Sequence, residues 1–209
     1  NLGPARHILG MKISRNRNRR QLFLSQTDYI GHVLERFNMQ STKSASTPLF
    51  INLHLSKRDC LTSGREGEDM KSVPYAPAIG SLMYVMVATE PDIAHSVGVI
   101  NMFMHNPGRS HWNAVKHIFR YLSSTKDHGI LFGPNKDSSV VGYTDSNFAG
   151  CVYSKKSTTG YYFKFGNGAI SWKSKLQECT TTSTTEAKYI VASVAAKKAL
   201  WLGRLAHTF

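Results

Sequence analysis

The spacing of apolar residues changes near Gly129, and this change constrains the fold more than any other feature of the sequence. Before it, three segments are predicted helices, one apolar almost all round and the others with apolar residues at intervals of three or four. After it, apolar and polar residues alternate in short runs separated by turn formers, which is typical of strands. The predicted helices cover 78–89, 91–105 and 111–125, and the predicted strands cover 129–133, 138–145, 159–168 and 169–177, with a last long helix from about Ser183.

The front of the chain predicts a hairpin and a helix. "HILGMKIS" and "QLFLSQ" have strand propensities, and they flank the basic turn "RNRNRR". The sequence favours a solvated turn there, with phosphate contact as the alternative. "TDYIGHVLERFNM" has the apolar spacing of an amphipathic helix.

Two parts follow from this pattern. We predict an α/β chain whose first part, 1–128, is an α+β hairpin and helical connection, and whose second part is 129–209. Within the first part, 41–77 is rich in Ser, Thr, Gly, Pro and charge, and we predict a linker-like, partly disordered segment.

Positive charge dominates the composition. There are 26 Lys and Arg against 13 Asp and Glu, which gives a net charge of +13. Such a surplus favours an anionic partner, with nucleic acid the first expectation and an anionic membrane the second; a merely soluble basic surface is the alternative. No stretch approaches the roughly 20 apolar residues that span a bilayer. The three cysteines are far apart, so neither a zinc site nor a disulfide framework is predicted, and a reducing compartment fits best.

Acidic residues are scarce in the last part of the chain. Between Ser138 and Phe209 there are three, Asp145, Glu178 and Glu186, against nine Lys or Arg. Asp145 ends a strand that we predict to be buried, and Glu186 falls in the first turn of the last predicted helix. If that strand and helix pack together, the two carboxylates converge, and hard oxygen ligands suit Mg²⁺. Two such ions clamp the attacking and leaving oxygens of a phosphodiester.

Each of these residues also has a structural explanation. Ser183 and Glu186 stand at the S-x-x-E spacing of a capping box, in which the glutamate reaches back to the backbone N–H of the cap. Asp145 can bond its own backbone in a turn through "TDSN". Lys155 and Lys156 can hold a phosphate, but an exposed basic hairpin explains them equally well. Spacing alone leaves these alternatives open.

Several stretches, in order and over nearly the whole chain, resemble the Pol polyprotein of copia-type retrotransposons. They are "LGPARHILGMKI", "LSQTDYIGHVLERFNM", "STPL", "VPYAPAIGSLMYVMVATEPDIAHSVGV", "HWNAVKHIFRYLSST", "GYTDSNFAG", "KKSTTGYYFKFGNGAISWKSKLQ" and "STTEAKYIVAS". The resemblance implies that 1–128 is the end of the reverse transcriptase (RNA-directed DNA polymerase) region with its helical connection. It implies that 129–209 is a truncated ribonuclease H-like domain, a mixed sheet with a long helix.

The same resemblance implies roles for individual residues. Asp145 and Glu186 match the family's first-strand aspartate and first-helix glutamate, which are catalytic Mg²⁺ ligands for cutting the RNA strand of an RNA–DNA hybrid. The surrounding lysines would then face the hybrid, and we take Lys155, Lys156, Lys173 and Lys175 as candidate nucleic-acid contacts. The remainder of the Pol polyprotein is the expected protein partner.

The chain departs from the family pattern in three ways, and the first two lower the expected activity. The paired aspartates of the polymerase are expected before Asn1, and a third nuclease aspartate is expected beyond Phe209. Lys188 replaces an acid in "STTEAKY". Because two carboxylates hold Mg²⁺ weakly, we expect little or no activity from this chain in isolation. The alternatives are a non-catalytic basic relic that binds nucleic acid and a non-functional pseudogene product. We expect the cytoplasm or nucleus, not secretion and not a membrane.

Overall fold

The computed structural model describes residues 3–50, 53, 55–60, 68, 70–134, 139–151, 154–206 and 208. Contacts between Cα atoms group the chain into two compact units. The first comprises Asn1–Ile13 with Leu24–Gly129, and the second comprises Ser14–Phe23 with Ile130–Phe209. The arginine-rich tip of the N-terminal hairpin therefore groups with the strand-rich part of the chain.

Four strands form one sheet in the order β1-β2-β3-β4. They are His7–Ile8 (β1), Met11–Asn16 (β2), Gln21–Ser25 (β3) and Gly129–Phe132 (β4). We predicted one strand over 7–14, which is wrong, because Leu9 and Gly10 adopt φ of 46° and 73° and reverse the chain between β1 and β2. The Tyr84 hydroxyl donates a hydrogen bond to the Leu9 carbonyl and supports this turn.

The first unit contains the helices that the spacing of apolar residues predicted. They are α1 (Thr27–Arg36), α2 (Tyr75–Ala88), α3 (Ala94–Asn101) and α4 (Arg109–Thr125), with 3₁₀ turns at Lys57–Asp59 and Pro91–Ile93. The second predicted helix is shorter than expected. Pro91 opens a 3₁₀ turn rather than an α-helix, and beyond Asn101 the backbone N–H groups of Met102, Phe103 and Met104 bond three residues back, so the last turn tightens.

One apolar core holds these helices together. Ile30 of α1, Leu82 of α2, Ile100 of α3 and Phe119 of α4 are all fully buried in it. Burial of each such side chain stabilises the unit by about 1.5–3 kcal/mol. The pattern of α4 is a clear case, because its apolar positions recur every three or four residues and all face this core.

The segment predicted to be linker-like contributes to that core. Leu49, Leu53, Leu55 and Cys60 pack in or against it, as does Tyr75 at the start of α2. The described residues of 41–77 are therefore partly structural, because their apolar side chains fill the gaps between helices. Residues 51–52, 54, 61–67 and 69 of this segment lie outside the described residues.

The second unit contains a three-stranded sheet and one long helix. Its strands are Val141–Asn147 (β5), Thr158–Phe165 (β6) and Gly168–Leu176 (β7), in the order β5-β6-β7, and its helix is Thr184–Ala206 (α5). Both strand pairs are antiparallel, so the mixed sheet that we predicted is not present among the described strands. A two-residue turn reverses the chain between β6 and β7, whereas a parallel pair needs a crossover of a dozen or more residues.

The turn between β6 and β7 confirms the predicted hairpin at "FGNG". Gly166 and Asn167 have φ of 54° and 65°, as a two-residue hairpin turn requires. α5 packs against β5 and β6, and Phe163 meets Ala195 and Leu202 in a small core. The prediction that β5 is buried is wrong: it is an outer strand of the described sheet, and most of its residues are exposed.

Candidate metal and nucleic-acid site

Asp145 lies near the end of β5, two residues before Asn147, and its side chain is exposed. It stands opposite Gly160 of β6 in the antiparallel register. Its Oδ1 accepts a hydrogen bond of 2.8 Å from the Ser146 backbone N–H. The Asp145 carboxylate thus bonds a neighbouring backbone N–H, as the structural explanation from the sequence predicted, but it does so within a strand rather than in a turn.

Glu186 lies in the first turn of α5, where the helix dipole stabilises a negative charge. Its backbone N–H donates to Ser183 Oγ at 3.1 Å, which is one half of a capping box. Its Oε2 accepts from the Thr182 backbone N–H at 2.7 Å and from Thr182 Oγ1 at 2.9 Å, one residue before the cap. The bond from the Thr182 N–H, followed by that from its hydroxyl, lowers the pKa of Glu186 and keeps it ionised.

A buried polar network fixes the start of α5 to the sheet. Gln177, which follows β7, donates from Nε2 to the Ala187 carbonyl of α5 at 3.0 Å and to Thr159 Oγ1 of β6 at 3.4 Å. Its backbone N–H bonds the Ser157 carbonyl at 2.8 Å, and Ser157 Oγ lies 2.7 Å from Thr181 Oγ1. All four side chains are buried. The first turn of α5 is therefore held over the Thr159 end of β6.

The register relates this network to Asp145. Thr159 pairs with Ser146, which is the neighbour of Asp145, so the start of α5 and Asp145 lie at the same end of the sheet. The faces differ, however. Phe163 packs with α5. Every second residue of β6 points to the same face as Phe163, and so do the residues directly opposite them on β5. Thr159 and Ser146 therefore lie on the face that α5 covers. Because successive side chains alternate, Asp145 leaves β5 on the other face.

The other face of the sheet carries aromatic side chains beside Asp145. Tyr143 of β5 pairs with Tyr162 of β6, with ring centroids 6.5 Å apart. Lys164 Nζ lies 5.6 Å from the Tyr143 ring. To share an ion with Glu186, the Asp145 carboxylate would have to turn around the outer edge of β5. The sharing of an ion by these two residues stays a prediction.

The four candidate lysines have different surroundings. Lys156 Nζ donates to the Glu178 carbonyl at 2.5 Å and so holds the turn before β6 to the segment after β7. Lys155 is exposed in that turn, with φ of 54°. Lys173 and Lys175 are exposed on β7 and, being two residues apart, project from one face. Lys156 therefore has a structural role, and the other three cations are exposed.

Comparison with known proteins decides the family. The chain is 55% identical over 203 residues, 97% of its length, to the retrovirus-related Pol polyprotein from transposon TNT 1-94 of Nicotiana tabacum. It is 36% identical over 87% of its length to the corresponding polyprotein from transposon RE1 of Arabidopsis thaliana. The chain belongs to the Pol polyproteins of copia-type retrotransposons. It spans 15% of the tobacco polyprotein and 12% of the RE1 polyprotein.

Another relative of this Pol segment is named as an effector protein. Over 64% of the chain, it is 45% identical to secreted RxLR effector protein 161 of Plasmopara viticola, 94% of which is covered. No family model and no solved structure matches the chain. In the described part, no helix has the length and apolarity that crossing a membrane requires.

The Pol segment lacks a preformed metal cluster in its described residues, since no group of three or more His, Cys, Asp or Glu side chains there could hold an ion. Sequence reasoning missed Gln177, Thr159, Ser157 and Thr181, which position the helix that carries Glu186. One signal for them was available, because "LQECTTTSTTE" is a long polar run between a strand and a helix. Their burial depends on tertiary packing, which no local pattern specifies.

Proposed function

We propose that this segment contributes the helical connection and a ribonuclease H-like part to a copia-type Pol polyprotein. In this proposal, Asp145 and Glu186 are two of the carboxylates that hold Mg²⁺ for cleavage of the RNA strand of an RNA–DNA hybrid. The observation that carries it is the Gln177 bridge, which fixes the first turn of α5 at the end of the sheet where Asp145 lies.

The chemistry of the two carboxylates suits this role. The hydrogen bonds described at Glu186 fall on Oε2, which leaves Oε1 for a cation, and its lowered pKa keeps the group charged. Asp145 is exposed on an outer strand and engages Oδ1 with Ser146. When bound, Mg²⁺ would stabilise charge on the phosphodiester oxygens. The protein's part is to hold one carboxylate on a capped helix and the other on a strand.

The placement of Asp145 predicts weak metal binding by this chain alone. Its side chain leaves the sheet on the face away from α5, so closing the site requires a rotation that additional ligands or a bound hybrid would have to stabilise. Two carboxylates supply less charge and less geometric restraint than a full ligand set. Little or no cleavage is therefore expected from the isolated chain.

Metal binding provides a direct test. We would titrate the chain with Mg²⁺ and follow backbone amide signals by NMR, then repeat the titration with Asp145→Asn, Glu186→Gln and the exposed control Glu178→Gln. The proposal expects shifts around residues 145 and 186 that either site variant weakens and the control does not. Shifts that neither variant changes would overturn the assignment. Cleavage of a labelled hybrid that survives both substitutions would overturn it as well.

A second candidate function is non-catalytic binding of nucleic acid, and the exposure of Lys173 and Lys175 favours it. β7 presents both cations on one face, and the net charge of +13 supports salt-sensitive association with a phosphate backbone. Replacing both by alanine should weaken hybrid binding and lower the slope of log K against log [salt] by about one to two units. The matched control replaces Lys188 and Lys197 of α5, which are also exposed. Equal effects of the two pairs would show that only net charge matters.

A further inference from the structure

A pocket of about 380 Å³ lies in the second unit, away from Asp145 and Glu186. The arginine-rich turn between β2 and β3 forms one side, and the ends of β4 and β6 form the other. Its volume falls within the range of sites for small molecules. None of its ten lining residues is acidic.

Three arginines line this pocket: Arg15, Arg17 and Arg20. All three residues are exposed, and their charges repel one another unless an anion lies between them. Guanidinium groups bind phosphate through paired N–H donors, which gives both strength and orientation. The solvated turn that the sequence favours is thus present, but it also faces a concave surface.

The opposite side of the pocket is apolar and rigid. Phe132 and Phe165 line it and are half-buried. The Gly133 N–H donates to the Gly166 carbonyl at 2.7 Å and ties the two strand ends together. A Cβ at Gly168 would lie 2.5 Å from the Phe132 ring, so that ring is packed directly on the backbone of β7. The Phe132 ring is therefore held in place before any ligand arrives.

Arginines and aromatic residues that line one pocket match an unpaired nucleotide, which carries a phosphate and a flat base. We propose that this pocket binds one nucleotide of single-stranded nucleic acid, with the phosphate at the arginines and the base against Phe132 or Phe165. A duplex fits poorly, because its bases are already stacked inside and cannot reach the rings. The inference does not depend on the proposed nuclease function, since it uses neither carboxylate and needs no metal.

The test compares two arginines of the same turn. Arg17 lines the pocket, whereas Arg19 is not among the lining residues. The backbone N–H of Arg19 donates to Asn16 Oδ1. We would measure binding of the full chain to a fluorescent single-stranded DNA of about ten nucleotides by anisotropy, with EDTA present. Arg17→Ala should weaken binding on the order of five- to ten-fold and reduce the salt slope by about 0.7. Arg19→Ala, which removes the same charge, should change the affinity less than two- to three-fold.

A second variant tests the aromatic side. Phe165→Leu keeps an apolar side chain but loses the ring face, so affinity should drop on the order of ten-fold. Circular dichroism melting of each variant checks that the fold is retained, and Arg17→Ala, at an exposed position, keeps the test valid if Phe165→Leu unfolds. Equal effects of the two arginine variants, or an equal loss of affinity for a duplex of the same length in Arg17→Ala, would overturn the inference. Free nucleoside monophosphate can be added at the same total concentration of nucleotides as the oligonucleotide. If it displaces the oligonucleotide, the inference is overturned, since the pocket would then prefer the free ligand.

Discussion

Replacing Glu90 by glutamine should make the protein more stable at neutral pH. Glu90 follows α2, its side chain is only 3% exposed, and its Oε1 has no hydrogen-bond partner among the described residues. Asp92 is close by and accepts a hydrogen bond from the Tyr121 hydroxyl. Burial, and then the charge and hydrogen bond of Asp92, raise the pKa of Glu90 from 4.5 to about 8.

The sign of the pH dependence follows from this shift. With its pKa raised, the folded protein takes up a proton at Glu90 that the unfolded chain releases above pH 4.5. The stability associated with this residue is therefore fully present below pH 4.5 and is lost as pH rises toward 8. Between pH 4.5 and pH 7 the interval is about 2.5 units at about 1.4 kcal/mol each, so the cost at pH 7 is about 3 kcal/mol.

Glutamine removes this cost because it carries no proton to release. Its NH₂ group can donate to Asp92 as the protonated carboxyl does, although burial of the amide costs part of the gain. We expect Glu90→Gln to raise the free energy of unfolding by about 2 kcal/mol at pH 7 and by little at pH 4.5.

The assay is urea denaturation followed by circular dichroism at several pH values between 4.5 and 8. Glu35→Gln, at an exposed position of α1, is the control and should show no such pH-dependent difference. Comparing variant and wild type at each pH cancels the contribution of every other titrating group. A difference that does not grow with pH, or a variant less stable than wild type at pH 8, would refute the reasoning.

Three further predictions concern other buried features. Gln177→Leu removes the buried hydrogen bonds from Nε2 to the Ala187 carbonyl and to Thr159 Oγ1, and should lower the free energy of unfolding, measured by urea denaturation, by about 1–3 kcal/mol; no loss would mean that the bridge is dispensable. Gly142→Ala places a Cβ against the Phe163 ring and should cost about 1–3 kcal/mol, whereas Gly203→Ala, where a Cβ meets nothing within 4 Å, should be tolerated. Burial lowers the pKa of His111 and His117 below 6.5, so stability should fall as pH drops below that value; replacing His117 by glutamine should flatten the fall seen in thermal melts, and an unchanged slope would contradict this.

The spacing of apolar residues predicted a helix well where one face of that helix packs against a single core. α4 was predicted as 111–125 and is observed as Arg109–Thr125, because its apolar residues all face the same side. The turn at Leu9 and Gly10 was missed, because a leucine with positive φ gives no local signal and the bond from Tyr84 comes from 75 residues away. Sequence patterns report local preference, and here a distant hydroxyl supports the conformation.

The candidate site was predictable in its residues but not in its orientation. The resemblance selects Asp145 and Glu186. The "STTE" spacing predicted a capping box, and half of it is confirmed: Ser183 Oγ accepts from the Glu186 N–H, but the Glu186 carboxylate bonds Thr182 rather than the N–H of the cap. The exposure of β5 was not predictable, because an apolar run does not tell whether a second layer covers the strand. Gln177 was not predictable either, since only the folded chain shows that its amide reaches both β6 and α5.

The two faces of the small sheet set the main physical constraint on the proposed nuclease site. Glu186 is anchored by Thr182 on the side of α5, and the alternation of β5 turns Asp145 the other way. A shared ion therefore has to lie beyond the end or around the outer edge of β5. Both carboxylates are exposed there, and Mg²⁺ gives up its bound water reluctantly, which opposes its binding to them. Affinity then depends on ligands that this pair does not supply. Metal binding by the isolated chain should accordingly be weak, while nucleotide binding at the arginine pocket, whose aromatic side is already packed, should not depend on metal.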